Sequence, residues 1–217
     1  MISDSIGVGV ATGAYGISFG AIAVASGLSI PQACALSLLV FTGASQFAFV
    51  GVIGAGGAPL AGALTAVLLG SRNMFYGLSL APHLEVRGPA KAAAAHVIID
   101  ESTAMAVTRD STEQARLAFY WTGWSIFVLW NLMTLAGAIA GEAIGDPRTY
   151  GLDAAVGAAF LGLLWPRLHS WSARLVALVA AAAALGLIPF TTAGVPTILG
   201  GVIAVAFGMA LRRGAKP

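Results

Sequence analysis

The sequence predicts an all-α integral membrane protein of seven transmembrane helices plus a re-entrant or eighth helix at about residues 89–108. Three observations lead there: a composition too apolar for water, apolar runs of membrane-spanning length, and isolated charges inside some of those runs. Of 217 residues, 58% are hydrophobic and 9% charged, and the mean hydropathy is +0.88. A soluble domain carries about 25% charged residues, so this chain lacks the polar groups to clothe itself in water. Its solvent must be lipid. The formal net charge of +2 is too small to mark a nucleic-acid binder. The lone Cys34 lies inside an apolar run and offers neither a disulfide framework nor a thiolate metal site. Polar stretches are short throughout, so residues 1–217 read as a single membrane domain.

A helix crossing the bilayer needs about 20 mostly apolar residues. Such runs occupy Ile6–Ser26, Gln32–Ala55, Pro59–Ala81, Leu117–Gly141, Leu152–Pro166, Trp171–Ile188 and Val195–Leu211. The first follows a segment with Asp4 and no Lys or Arg, unlike a signal peptide, and is expected to be a retained span. Pro89–Thr108 has the length of an eighth, but it contains His96, Asp100 and Glu101.

Cytoplasmic loops concentrate Lys and Arg, which bears on that choice. If Pro89–Thr108 crosses, one side holds seven basic residues: Arg109, Arg116, Arg167, Arg174, Arg212, Arg213 and Lys216. The other holds three: Arg87, Lys91 and Arg148. If it does not cross, Arg87 and Lys91 change sides and the split becomes nine to one. Both arrangements put the carboxyl terminus in the cytoplasm. The steeper asymmetry favours a segment that dips in and returns, where irregular backbone survives at depth because protein or water lines it.

Small residues forecast how the helices meet. Gly9, Gly13, Gly16, Gly20, Ala23 and Gly27 fall on one face of the first span, and Gly194, Thr197, Gly201, Ala204 and Gly208 do so near the end. Gly62, Ala66 and Gly70 form a shorter stripe. Close backbone approach is what associates helices when lipid removes the hydrophobic incentive; a substrate path or partner face is the alternative use. Phe119, Tyr120, Trp121 and Trp124 open one span, and Trp165 and Trp171 flank Arg167 and His169. Both clusters read as interfacial belts with basic anchors.

The residues that lipid should have excluded are the candidate site. Pro59–Leu69 is too short to cross alone, so Arg72 and Asn73 lie within a span or at a break in it. A charge at a helix centre costs about 2.5–3.5 kcal/mol on insertion scales, so Arg72 needs a partner or a cavity. Its fork suits a substrate carboxylate or an internal acid. Tyr76 follows one turn along on the same face. Asp100 and Glu101 are the natural counterparts; adjacent on a helix they point about 100° apart, so at most one can face Arg72. A carboxylate caught between burial and a nearby arginine is suited to carry a proton. Ser45 and Gln46 follow Gly43 in mid-span, where an unwound helix could bind an ammonium or carboxylate. Asn131 and Thr134 read as interhelical glue, and Asp153 as a helix cap.

In order and spacing these pieces resemble the AzlC family of branched-chain amino-acid permeases. They are Gly-Ile-Ser-Phe-Gly at 16–20, Ala-Ser-Gly-Leu-Ser at 25–29, Phe-Thr-Gly-Ala-Ser-Gln-Phe at 41–47, Arg-Asn-Met-Phe-Tyr-Gly-Leu-Ser at 72–79 and Asp-Glu-Ser at 100–102. The similarity continues more weakly to residue 211. Family members carry a longer basic-apolar leader and an early proline where this chain has Thr12-Gly13-Ala14-Tyr15. The resemblance implies export of valine, leucine or isoleucine across the cytoplasmic membrane beside a small four-span AzlD subunit.

The expected mechanism is secondary transport. The substrate carboxylate would sit near Arg72, Ser45 and Gln46, with Asn73 and Tyr76 also in the binding site, and its ammonium toward Asp100 or Glu101. The acidic pair would carry the coupling proton. No Walker lysine loop is present to bind ATP. Two rival classes remain: an intramembrane metal hydrolase using His96 and Asp100, and a passive channel or structural subunit.

Overall fold

The computed structural model describes residues 1–144, 161–162 and 164–214, and every regular element among them is helical. Among the described residues four helices are long and apolar enough to cross a membrane: Ile2–Ala25, Thr112–Ala143, Trp171–Phe190 and Val195–Arg212. They realise the expected spans Ile6–Ser26, Leu117–Gly141, Trp171–Ile188 and Val195–Leu211. The expected span Leu152–Pro166 and the cap Asp153 lie almost wholly outside the described residues.

α1 (Ile2–Ala25) runs along α8 (Thr112–Ile144), and the glycine stripe is the reason. A methyl group at Gly13 would come to 2.5 Å of Leu129 Cβ, and one at Gly16 to 2.5 Å of the Trp130 carbonyl. Gly20 and Gly137 meet backbone still more closely, at Thr134 and Ile17. No side chain larger than hydrogen fits there. The packing use of the stripe is therefore realised, while Gly27 lies beyond the helix at φ +95° and ends it. Thr134 is glue as expected, accepting from Ser37 Oγ at 3.3 Å, whereas Asn131 Nδ2 turns back onto the Phe127 carbonyl of its own helix.

The runs Gln32–Ala55 and Pro59–Ala81 are not continuous helices. The first is α2 (Ile30–Leu39) and α3 (Ala44–Gly54); the second is α4 (Pro59–Gly70) and α5 (Arg72–Leu84). Pro89–Thr108 divides likewise into α6 (Pro89–His96) and α7 (Asp100–Val107). Each break has a local cause. Gly43 adopts φ +61°, ψ −92°, which a side chain would forbid, and its N–H is held by Gln46 Oε1 at 3.1 Å. Ser71 Oγ donates to the Leu68 carbonyl at 2.7 Å, taking an acceptor from the helix ladder just after Gly70. Val97-Ile98-Ile99 is β-branched, Ile99 is extended, and Ser102 Oγ accepts from the Ile99 N–H while donating to the Val97 carbonyl.

The remaining elements are a 3-10 turn (Trp165–Arg167), α9 (Trp171–Leu187), a second 3-10 turn (Ile188–Phe190) and α10 (Val195–Gly214). α10 lies against α9 and reaches α4, with Gly200 against Ala180 and Ala184 and Gly201 against Leu68. One core gathers Phe19, Phe41, Phe47, Ile99, Ile126 and Trp130 around the α2–α3 break. A second joins Leu80 and Leu84 of α5 to Ala94, Val97, Ala106, Ala115 and Phe119. At its edge Arg116 Nη2 pairs with Glu85 at 2.7 Å and Arg116 Nε donates to the His83 carbonyl at 2.8 Å. The end of α5 and the start of α8 therefore lie together.

Candidate functional site

The three breaks converge. Asn73 Nδ2 donates to the Ile98 carbonyl at 3.0 Å, joining the first turn of α5 to the unwound link between α6 and α7. The backbone of Gly70 faces Ser45 Oγ, which lies 3.0 Å from where a Cβ on Gly70 would stand. Phe41 and His96 bring the first break to the third, their rings 6.2 Å apart, and Phe127 of α8 packs edge-on against both. Unwound backbone at depth is tolerated only where protein surrounds it. Here each break touches the other two.

Arg72 Nη2 and Asp100 Oδ2 are 2.7 Å apart at this junction, with 21% and 22% of their side chains exposed. The other carboxylate oxygen of Asp100 accepts from the Tyr76 hydroxyl at 2.5 Å. Asp100 is thus the acid that faces Arg72. Glu101 forms no salt bridge among the described residues. Both acids occupy the first turn of α7, where the helix dipole favours negative charge.

Three buried polar atoms near the junction lack a partner among the described residues: Ser45 Oγ, Arg72 Nε and Thr103 Oγ1. Ser45 is 2% exposed, so bulk water does not serve its hydroxyl, and such a group costs about 1–3 kcal/mol when left unsatisfied. Gln46 differs. Its Oε1 accepts from Gly43 and its Nε2 donates to the Leu36 carbonyl at 3.3 Å, so its amide secures the α2–α3 break.

A family model described as AzlC protein matches residues 7–144, which run from α1 to the end of α8 and hold all three breaks. The chain belongs to the AzlC family. AzlC proteins serve membrane transport of amino acids, and this AzlC chain is a multi-pass membrane protein. Comparison with curated proteins and with solved structures gives no match.

The structure brings Arg72, Asn73, Tyr76 and Asp100 of this AzlC chain into direct contact or one step from it, sets Ser45 beside Gly70, and leaves Glu101 one position along α7. It also adds a residue that the sequence pattern assigned elsewhere. Arg167 Nη2 lies 3.4 Å from the Tyr76 hydroxyl and 3.5 Å from Asp100 Oδ1. Its setting between Trp165 and Trp171 reads as an interfacial anchor, and no local signal reveals that its head reaches Asp100. His96 lies among Phe41 and Phe127, and among the described residues no three His, Cys, Asp or Glu side chains gather as metal ligands.

Proposed function

We propose that this AzlC chain is the transport subunit of a proton-coupled exporter of branched-chain amino acids in the cytoplasmic membrane, working with a small AzlD-like subunit. The observation that carries the reading is the Arg72–Asp100 pair at the meeting of three helix breaks. An ion pair in such a place has already lost most of its hydration, so a ligand that is itself a zwitterion can exchange with it, charge for charge. The substrate carboxylate takes Arg72 Nε and Ser45 Oγ, two of the three buried groups at the junction left without partners among the described residues. The ammonium goes to the acids of α7. The apolar side chain lies toward Phe41 and Tyr76. In this reading Gln46 and Asn73 shape the site by fixing the breaks, and Glu101 takes and releases the proton.

The same reading makes α6–α7 a re-entrant pair rather than a crossing, within seven spans. Its support is the link between Arg116 and the end of α5. α6 begins shortly after that end and α7 finishes shortly before α8 begins, so both ends of the pair fall on one side of the bundle. Arg87, Lys91 and Arg109 then share the basic, cytoplasmic face.

Valine efflux from liposomes containing the purified chain, with and without a four-span AzlD-like protein, tests the proposal. Saturable efflux driven by a proton gradient and lost in Arg72→Ala is expected. Undiminished flux from folded Arg72→Ala protein refutes the assigned role, and non-saturable flux indicates a channel.

A further inference from the structure

We propose that Arg167 is a second carboxylate ligand that doubles as a latch on the site: it holds Asp100 when no substrate is bound and transfers to the carboxylate of an arriving amino acid. This rests on the transport reading above and deepens it, because it names the side from which the site is closed.

Asp100 is divided unequally. Its Oδ2 belongs to Arg72 at 2.7 Å, whereas Oδ1 is shared by the Tyr76 hydroxyl at 2.5 Å and Arg167 at 3.5 Å. Both contacts of Arg167 are at the outer limit of hydrogen bonding, and its side chain is 56% exposed against 21% for Arg72. Arg72 is the inner, fixed partner and Arg167 the outer, loosely held one. An exposed ion pair of this kind contributes little stability, so it exchanges partners readily. In direct contact are two guanidinium groups and one carboxylate, a surplus of one positive charge. A planar, bidentate donor fits a carboxylate far better than it fits water, so the surplus charge selects a substrate bearing one.

The position of Arg167 suits a latch. It ends the 3-10 turn Trp165–Arg167, whose Trp165 is exposed, and α9 begins four residues later. The contact ties the segment ahead of α9 to the α6–α7 tip, and the nine-to-one division of Lys and Arg puts that segment on the side of the basic loops. Arg167 also lies beyond the 7–144 stretch of family similarity, so the site proper and its closure are carried by different parts of the chain.

The test uses Cys34→Ser protein with Ser71→Cys as the reporter at the α4–α5 break, labelled by a membrane-impermeant thiol reagent in inside-out and right-side-out vesicles. With Arg167→Ala, labelling from the basic-loop side is expected to rise about fivefold, as losing one weak exposed pair allows. Labelling from the opposite side stays unchanged, and Arg167→Lys restores the wild-type rate. Valine in excess is expected to change the labelling rate of the Arg167 protein but not of Arg167→Ala. An unchanged rate in Arg167→Ala overturns the latch. So does an equal rise from both sides, which marks general loosening. Labelling requires no flux, so the two readings fail separately: absence of valine transport with one-sided labelling removes the substrate and keeps the latch, and normal transport with unaltered labelling removes the latch alone.

Discussion

The side-chain amide of Asn73 spans the gap between two broken segments to reach the carbonyl of Ile98, 3.0 Å away. That carbonyl belongs to an unwound link and has no helical partner to fall back on. Asn73→Ala removes its donor, and a buried acceptor left alone costs about 1–3 kcal/mol. The expected result is a melting temperature several degrees lower in detergent, with transport reduced further than stability explains, because the α6–α7 tip carries Asp100. Asn73→Gln, whose amide sits one methylene further out, is expected to recover stability only in part. A thermal-shift series on the three proteins checks it; equal melting temperatures would remove Asn73 from this role.

Arg72 and Asp100 predict a characteristic non-additivity. Removing one member of a mostly buried pair strands the other charge, whereas removing both strands neither. Arg72→Ala and Asp100→Ala are each expected to destabilise by about 2–4 kcal/mol, discounted from the fully buried range because a fifth of each side chain reaches solvent. The double variant should be more stable than either single one while remaining inactive. A double-mutant cycle on thermal or denaturant unfolding measures this, and strictly additive losses would mean the pair is not coupled.

The features visible in the sequence are those that carry a cost in lipid. Arg72, Asp100 and Glu101 stand out because an unpartnered charge is expelled from hydrocarbon, and the structure does pair Arg72 with one of the two acids. The glycine stripe of α1 is equally legible, since only close backbone contact makes a bare helix face useful. The break at residues 40–43 is harder to see, because hydropathy registers side chains and not the backbone torsions that end a helix; Gly43 before an Ala-Ser-Gln turn is its only local mark. Arg167 is invisible for a different reason. A basic residue between tryptophans satisfies every interfacial rule whether its head points out or in, and the direction is set by Asp100, 67 residues earlier.

Glycines with opposite environments separate packing from propensity. Replacing a helical glycine by alanine gains up to about 1 kcal/mol of helix propensity wherever the methyl group has room. At Gly7 nothing lies within 4 Å of the added carbon, so Gly7→Ala should be neutral or slightly stabilising. At Gly16 the same methyl group would stand 2.5 Å from the Trp130 carbonyl, and backbone cannot step aside as a side chain can. Gly16→Ala should therefore destabilise by about 1–3 kcal/mol, the usual cost of overpacking, and loosen α1 from α8. Cross-linking yield between cysteines placed on the two helices, compared for both variants, reads the difference; a Gly16→Ala yield equal to that of Gly7→Ala would contradict the close contact.

Glu101 offers the sharpest separation of binding from coupling. It follows Asp100 on the first turn of α7 and, unlike Asp100, forms no salt bridge among the described residues. Glu101→Gln keeps the shape and the hydrogen-bonding capacity of a protonated acid while removing the proton that can leave. If this side chain carries the coupling proton, the variant should still exchange internal for external valine at close to the wild-type rate, because exchange needs no net proton movement. Net efflux driven by a pH gradient should fall by about a hundredfold or more, the scale of loss when a proton-transferring group is removed. Counterflow and gradient-driven efflux measured on one liposome preparation make the comparison direct. Retained pH-driven efflux would move the proton to Asp100 or elsewhere, and loss of both activities would place Glu101 among the groups that hold the substrate.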